Sequence, residues 1–226
     1  MGAGVQVVLA SGSPRRQAFL RELGVAFTVL PADVDESPLA GESPIPLARR
    51  LAERKAAAVA AKLRQDAPPV PYVSRVPHVI VAADTVVALG ELLLAKPEDD
   101  ADAVRMLTLL RGQSHQVHSA VAVLATATGA VQTRVSSTTV WMRDYTDGEI
   151  AAYVATGDPH DKAGAYAIQH PTFAPVARLE GCLSGVIGLP LHELRELLDG
   201  AGVTLTGDVV QVCEAQTHFA CCRRQG

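Results

Sequence analysis

The apolar run V-Q-V-V-L-A at residues 5–10 leads directly into S-G-S-P-R-R at residues 11–16. A short, β-branched run of this kind predicts a buried strand, and Gly12 predicts a tight turn after it. Ser13 suits the N-cap of a helix and Pro14 its first position, because proline lacks the N–H that a helix start leaves unpaired. A strand, a turn and a helix start in this order predict an α/β fold.

Two adjacent arginines, Arg15 and Arg16, fall in the first turn of the predicted helix. Free N–H groups make a helix start attractive to anions, and a guanidinium can form paired hydrogen bonds with phosphate. Cations at this end oppose the helix dipole, so a purely structural sequence would place acids there. Solvated arginines on a capped helix are the alternative, and neither G-x-x-x-x-G-K-[ST] nor G-x-G-x-x-G is present. The pattern favours phosphate binding.

The composition is that of a globular chain, with 226 residues, 48% hydrophobic and 19% charged. A net charge of −4 gives no general attraction to nucleic acid or to an anionic membrane, so we expect neither as a partner. No signal peptide and no bilayer-spanning run is recognisable, which predicts a cytoplasmic protein. The cysteines form no C-x-x-C pair, in agreement with a reducing compartment; they are Cys182, Cys213, Cys221 and Cys222.

Two segments place carboxylates beside predicted strands. Glu36 lies in the acidic, proline-bracketed loop 31–38, whose composition alone is typical of a solvated loop. Asp84 follows the continuous apolar run at residues 79–83, which predicts a central buried strand. Open α/β sheets place their sites at the carboxyl ends of such strands, which favours a catalytic Asp84; a turn or cap residue is the alternative.

Two lysines lie beside apolar segments, where the pattern alone leaves their role open. Lys55 lies near the edge of the apolar stripe of a helix predicted over residues 46–65, where it either extends into water or points into a polar pocket. Lys96 follows a short apolar run at residues 92–95, and an exposed turn lysine is its alternative. Three arginines of that helix, Arg49, Arg50 and Arg54, are expected to be ordinary exposed side chains.

The remaining segments are predicted to form structural elements that carry no catalytic residue. Residues 99–111 predict a helix, residues 117–142 a long antiparallel hairpin, and residues 190–200 another helix. The proline-rich stretch 67–77 predicts a loop, to which we assign no chemistry. After Val203 no motif can be placed, and the spacing of Cys213, His218, Cys221 and Cys222 fits no standard zinc site, so a loosely packed tail is expected.

Together these motifs resemble those of the Maf family of nucleoside triphosphate pyrophosphatases. The matching segments, spread over about residues 5–200, are S-G-S-P-R-R at 11–16, D-E at 35–36, K-A at 55–56, D-T-V-V at 84–87, K-P at 96–97, G-D-P-H-D-K-A-G-A-Y-A-I-Q at 157–169 and S-G-V-I-G-L-P at 184–190. Gly185 departs from the asparagine that is usual in the last motif. Agreement at several independently spaced motifs makes chance a poor explanation.

The resemblance implies a Maf/ITPase-like α/β fold, with a long mixed sheet flanked by helices and two lobes around a central cleft. It implies a catalytic set of Asp84, Glu36, Lys55 and Lys96, and a substrate-binding set of Ser11, Ser13, Arg15, Arg16, Thr85 and Gln169. Glu36 and Asp84 would hold Mg²⁺ or Mn²⁺ through hard oxygen ligands. Asp84, with Glu36 nearby, would orient and deprotonate a water that attacks the α-phosphorus, so that pyrophosphate leaves.

Within the family the sequence is similar to the branch that hydrolyses dTTP and UTP, and modified pyrimidine triphosphates are further candidate substrates. The specificity positions would be Arg15, Thr85 and Gln169, whose amide offers a donor and an acceptor to a pyrimidine edge. The alternatives are a nucleotide-responsive regulator of cell division and septum formation, or a pyrophosphatase for purine or 7-methylguanosine triphosphates. The resemblance also implies a homodimer, with the Maf-like domain at residues 1–203 and a tail of unknown role at 204–226.

Overall fold

A computed structural model describes residues 5–65 and 77–222. Their strands are β1 (Gln6–Leu9), β2 (Phe27–Val29), β3 (His78–Leu89), β4 (Leu92–Leu94), β5 (Ser114–Ala125), β6 (Ala130–Met142) and β7 (Val176–Glu180). Their helices are α1 (Pro14–Glu22), α2 (Pro44–Gln65), α3 (Asp100–Leu110), α4 (Asp147–Val154), α5 (Leu183–Ile187), α6 (Leu191–Gly200) and α7 (Val209–Glu214). None of the helices in these two stretches is long and apolar enough to cross a membrane. The predicted loop at residues 67–77 lies, apart from Pro77, outside the described residues.

The seven strands of the described residues form one mixed sheet in the order β2-β1-β3-β5-β6-β7, with β4 paired to β3. β1 runs parallel to β2 and β3, and the other neighbouring strands are antiparallel. The predicted α/β class, with a parallel start and a long antiparallel hairpin, is confirmed. The hairpin begins at Ser114, earlier than predicted, because residues 114–116 already pair with β6.

The sheet is covered on both faces, because successive side chains of a buried strand point to opposite sides. Val7 and Leu9 of β1 join a large cluster with residues of α1 and α3 to α7. Val8 and Ala10 pack on the other face, against α2. The cores on the two faces therefore share the same central strands, which fixes α1 and α2 on opposite sides of the sheet.

β3 is longer than the sequence predicts. It continues through Asp84 to Leu89, because the residues after Asp84 also pair with β5 over a continuous antiparallel ladder. The prediction that Asp84 stands at the carboxyl end of its own strand is wrong. Aspartate is a poor strand former, and pairing with a long neighbouring strand overrides that local preference.

A notch in the sheet nevertheless opens beside Asp84. The ladder between β1 and β3 ends at the pair Leu9 and Val81. On the same side of β3 the next pairing within the described residues is with β4, and it begins at Val87. The intervening part of β3 therefore borders the carboxyl end of β1, where open α/β sheets bind ligands.

The segment after Val203 is not a loosely packed tail, contrary to expectation. Val209 and Cys213 of α7 are buried in the large cluster. The N–H groups of Thr206 and Gly207 both donate to the Leu23 carbonyl at 3.1 Å. The tail is thus fixed against the end of α1, through tertiary contacts that its own sequence pattern does not indicate.

Candidate active site

A cleft of about 430 Å³ opens at the notch beside β1. Its walls come from the β1–α1 loop, loop 31–36, α2, β3, Lys96 after β4, the segment 161–169 and the end of α5. All ten residues that the sequence singled out line it, namely Ser11, Ser13, Arg15, Arg16, Glu36, Lys55, Asp84, Thr85, Lys96 and Gln169. The fold thus brings the predicted acids and the predicted cations into one cavity.

The centre of the cleft is a three-residue charge cluster. The Lys55 ammonium lies 2.6 Å from Asp84 Oδ1 and 2.8 Å from Glu36 Oε1. The side chains of Lys55 and Asp84 are only 10% and 7% exposed, whereas that of Glu36 is 50% exposed. Of the two possibilities for Lys55, the structure shows the polar pocket, so its buried cation is compensated by two carboxylates.

Strand periodicity explains why Asp84 meets α2. The even-numbered β3 residues Ile80 and Ala82 pack on α2, and Asp84 continues that alternation toward the same face. Lys55 belongs to the buried face of α2. A strand of period two and a helix of period 3.6 residues therefore place these two side chains opposite each other.

Glu36 is ionised by its surroundings. Partial burial acts to raise the pKa of Glu36, but the hydrogen bond and charge of Lys55 outweigh it, with help from Lys96 and Arg16. The net result is a pKa below the usual value of a glutamate. Loop 31–38 therefore contributes a carboxylate to the cleft rather than only solvated charge.

Arg50 holds the loop that carries Glu36. Its guanidinium donates to both oxygens of Glu42, at 2.7 and 2.6 Å, and to the Ser37 carbonyl at 3.0 Å. The expectation that Arg50 is an ordinary exposed residue is wrong, whereas Arg49 and Arg54 are exposed as predicted. A forked pair of this kind fixes direction as well as distance. It anchors the acidic loop to α2 close to Lys55.

Ser11, rather than Ser13, has the polar role at the start of α1. Ser13 is the N-cap as predicted, but its side chain makes no capping hydrogen bond. Ser11 Oγ accepts from the Ser13 N–H at 3.2 Å and from Arg16 Nη1 at 3.1 Å. Arg16 Nε donates to the Gly188 carbonyl at 2.8 Å. Burial lowers the pKa of Arg16 while the charge of Asp84 opposes the shift, and a guanidinium remains charged at neutral pH.

The segment at residues 158–164 forms a wall that sequence reasoning matched to a family motif without assigning it a role. Lys162 is 8% exposed and donates to Asp158 Oδ1 at 2.9 Å and Asp161 Oδ1 at 2.6 Å. Asp161 also accepts from Arg15 Nη1 at 3.2 Å. Lys162 thus holds Asp158 and Asp161 together within this segment. Asp161 in turn holds Arg15 at the rim of the cleft.

Thr85 belongs to a directed hydrogen-bond chain that includes Ser119, a residue the sequence analysis missed. Ser119 Oγ lies 2.6 Å from the Gly185 carbonyl and 2.9 Å from Thr85 Oγ1. A carbonyl only accepts, so the single Ser119 proton goes to Gly185 and Thr85 must donate to Ser119. The Thr85 hydroxyl therefore has acceptor capacity, and no proton, left for a ligand.

Gln169 is oriented by the C-terminal segment. Its Nε2 donates to Gln216 Oε1 at 2.6 Å, and Gln216 Nε2 donates to Glu22 Oε2 at 3.1 Å. A carboxylate only accepts, so Glu22 fixes the direction of both amides. Gln169 keeps its carbonyl oxygen and one N–H for other partners. Gln216 lies in a segment that matched no motif, so no sequence signal could have identified it.

The acidic pair fits a hard divalent cation. Glu36 and Asp84 supply only carboxylate oxygens, which Mg²⁺ and Mn²⁺ prefer, and both are already arranged around one positive charge, that of Lys55. Phosphate oxygens of a ligand would complete such a coordination sphere, as is usual for Mg²⁺. Among the predicted site residues, Glu36 and Asp84 are the two that offer oxygen ligands of this kind.

Comparison with known proteins extends these observations. The family model described as "Maf-like protein" matches residues 6–201. A dTTP/UTP pyrophosphatase of Nitrosomonas europaea is 42% identical over 211 residues, covering 90% of this chain and 98% of that protein. Proteins of the same name from Alcanivorax borkumensis and Nitratidesulfovibrio vulgaris are 44% and 46% identical, covering 86% and 85% of this chain and 95% and 86% of their own.

A crystal structure of a nucleoside-triphosphatase / dITP/XTP pyrophosphatase from Mycobacterium abscessus is similar with a TM-score of 0.36 and 16% identity. It covers 62% of this chain and 76% of that one, a likeness too remote to bear on function. The family match is of a different kind, since residues 6–201 include every segment that lines the cleft. The predicted resemblance is confirmed, and the chain belongs to the Maf family.

Proposed function

We propose that this protein is a metal-dependent pyrophosphatase that hydrolyses dTTP and UTP to the nucleoside monophosphate and pyrophosphate. The observation that carries the proposal is the convergence of two carboxylates with Arg15, Arg16, Lys55 and Lys96 in one cleft. The relatives named dTTP/UTP pyrophosphatase, which match over most of the chain, support the same activity.

The size and charge of the cleft suit a nucleoside triphosphate. A volume of about 430 Å³ falls in the range of pockets that bind small ligands. The chain as a whole is acidic, with a net charge of −4, so the attraction for a polyphosphate is local to the four cations. Arg16, fixed by Ser11 and Gly188, presents a pre-oriented donor, and Arg15 and Lys96 extend the positive surface toward the rim.

We assign the metal to Glu36 and Asp84. Mg²⁺ or Mn²⁺ bound there would polarise phosphate oxygens as a Lewis acid. Lys55 keeps the two carboxylates together and adds positive charge beside the reacting phosphate. Because Asp84 Oδ1 already accepts from Lys55, we assign proton acceptance from the attacking water to Oδ2. Attack at the α-phosphorus then releases pyrophosphate, with Arg15, Arg16 and Lys96 placed to stabilise its charge.

In this proposal, Thr85 and Gln169 recognise the base of the substrate through hydrogen bonds. Thr85 offers an acceptor, which complements the N3–H of uracil and thymine but not the unprotonated N3 of cytosine. Gln169 offers an acceptor and a donor beside it. This pattern supports dTTP and UTP, with modified pyrimidines that keep the same edge, over CTP, and the relatives named dTTP/UTP pyrophosphatase support pyrimidine over purine and 7-methylguanosine nucleotides.

The decisive experiment is pyrophosphate release from purified protein with Mg²⁺ or Mn²⁺, comparing Asp84→Asn with wild type. Loss of the proton acceptor should lower kcat about 10²- to 10⁴-fold. The matched control is Asp199→Asn, an exposed helix aspartate, which should retain wild-type turnover. Undiminished turnover by Asp84→Asn would remove Asp84 from the mechanism.

A substrate panel tests the specificity assignment in the same assay. Values of kcat/KM for dTTP and UTP should exceed those for CTP, ITP, GTP and 7-methyl-GTP. A preference for 7-methyl-GTP or ITP would overturn the assignment while leaving the pyrophosphatase activity intact. Division arrest by the inactive Asp84→Asn variant would instead support the regulator of septum formation.

Two further properties belong to the proposal. We place the enzyme in the cytoplasm, supported by the free thiols of all four cysteines. We also propose a homodimer, which rests on the family resemblance. Light scattering coupled to size-exclusion chromatography measures the oligomeric state. A mass equal to that of one chain would contradict the homodimer.

A further inference from the structure

The C-terminal segment brings two cysteines against a histidine on α6. The ligand atoms of His192, Cys221 and Cys222 all lie within 4.8 Å of one another. His192 Nε2 is 3.4 Å from Cys221 Sγ. Cys221 is buried, whereas Cys222 and His192 are partly exposed. The cluster therefore combines one buried ligand with two that solvent can reach.

The separations suit tetrahedral zinc. Zinc bonds of about 2.3 Å to sulfur and about 2.0 Å to nitrogen, at tetrahedral angles, put the two ligand atoms about 3.5 Å apart. The 3.4 Å between His192 Nε2 and Cys221 Sγ agrees with this value. Two thiolates and an imidazole are also the ligand types that zinc prefers over Mg²⁺ or Ca²⁺. The cluster thus differs in chemistry from the carboxylate pair in the cleft.

Two further groups border the cluster. The Cys182 thiol contacts the thiol of Cys222, but its sulfur is not one of the atoms that all lie within 4.8 Å of one another, so the cluster has three ligands. Glu193, next to His192 on α6, exerts its charge on Cys182, and its Oε2 is buried without a hydrogen-bond partner among the described residues. A buried carboxylate oxygen without a donor is costly, and a nearby cation would offset that cost.

We propose that His192, Cys221 and Cys222 bind one Zn²⁺, with the fourth position left to solvent, and that this ion links the C-terminal segment to α6. The ligands come from two places that are distant in sequence: the first turn of α6 and the end of the described chain. One ion would cross-link the two. This assignment is independent of the activity proposed for the cleft.

An ion bound in this cluster would also affect the cleft, because the segments that it joins hold residues of the cleft in place. His192 lies in the first turn of α6, four residues after Gly188, whose carbonyl accepts from Arg16. On the other side, the C-terminal segment held by Cys221 carries Gln216, which orients Gln169. Zinc would therefore stabilise the Arg16–Gly188 and Gln169–Gln216 hydrogen bonds without itself contacting the substrate.

The test is the zinc content of the full-length protein, expressed in zinc-supplemented medium and purified without chelators or an immobilised-metal column. We expect one zinc per chain, and none in the double variant Cys221→Ser/Cys222→Ser. His192→Ala should weaken zinc binding by at least about 100-fold, since it removes a ligand. Cobalt in place of zinc should give the thiolate-to-metal absorption and visible bands of a tetrahedral site.

Two controls separate this site from other metal sites. His218→Ala removes a histidine of the same segment that is outside the cluster, and Asp84→Asn removes the proposed ligand in the cleft. Both should keep one zinc per chain. A second measurement protects the test against a variant that fails to fold: chelation of zinc from wild type should increase hydrogen exchange in residues 209–222.

Three results would overturn the proposal. One is wild-type protein that contains no zinc after zinc supplementation. Another is zinc content unchanged in the Cys221→Ser/Cys222→Ser variant. The third is an intact mass two hydrogens lower, with a disulfide among Cys182, Cys221 and Cys222, which would identify the cluster as a thiol pair rather than a metal site.

Discussion

Lys55 is the residue on which the charge balance of the cleft depends. Its ammonium contacts Glu36 and Asp84, whose like charges would otherwise repel each other at close range. The same contact lowers the pKa of Glu36 against the effect of burial. A lysine that the sequence alone could place either in water or in a pocket is thus the centre of the site.

The Lys55 contact predicts the acid limb of the pH profile. A lowered pKa means that Glu36 stays ionised until the pH falls below 4.5, its ordinary value, so kcat/KM should persist into that range while the protein remains folded. In Lys55→Met the acid limb should move to higher pH, because the stabilising cation is gone. Lys55→Arg is the control that keeps the charge and should shift the limb less. Identical limbs in wild type and Lys55→Met would contradict the assignment.

Ser119 sets the direction of the Thr85 hydroxyl. Ser119→Ala leaves Thr85 with a proton to offer, and we expect the preference of kcat/KM for UTP over CTP to fall about tenfold, in the range of a single hydrogen-bond contact. The control is Ser136→Ala, directly opposite Ser119 on β6. A substrate panel for the three proteins measures the effect. An unchanged preference would show that Thr85 does not read the base.

At the scale of elements, Gly207 is where the C-terminal segment meets α1. A Cβ at this position would lie 2.4 Å from the Glu22 carbonyl oxygen and 2.8 Å from Leu23 Cα, both of which are backbone atoms that cannot move aside cheaply. Gly207→Ala should therefore lower the free energy of unfolding by about 1–3 kcal/mol. Gly200→Ala, in α6 where an added Cβ would meet no atom within 4 Å apart from the neighbouring backbone of its own helix, should be neutral or stabilising.

Urea denaturation of the two alanine variants measures that difference. The prediction fails if Gly207→Ala is as stable as Gly200→Ala. In that case the C-terminal segment would dock less closely than its hydrogen bonds to Leu23 indicate.

Elements with strong local signals could be predicted from the sequence. Helix α3 begins after Asp99, whose side chain accepts from the Asp102 N–H, and the apolar spacing that follows defines its buried face. The extension of β3 and the packing of α7 could not be predicted, because both depend on partners distant in sequence. Residues such as Ser119 and Gln216, which act through other side chains, carry no local signal at all.

At the scale of the whole molecule, the site exists because the sheet is interrupted. β1 ends while β3 continues, and the resulting notch lets Asp84 and Thr85 reach the cleft from successive positions of one strand. The family motifs allowed the site residues to be predicted as one set. The sequence pattern alone left the role of each residue undecided. The notch itself, which explains their convergence, is a property of strand lengths that only the fold shows.

The central claim is attack of water on the α-phosphorus within this cleft. The direct measurement is hydrolysis of dTTP in ¹⁸O-labelled water, with the products analysed by mass spectrometry. We predict that the label enters the nucleoside monophosphate and that pyrophosphate remains unlabelled. Label in pyrophosphate, or release of inorganic phosphate in place of pyrophosphate, would contradict the account.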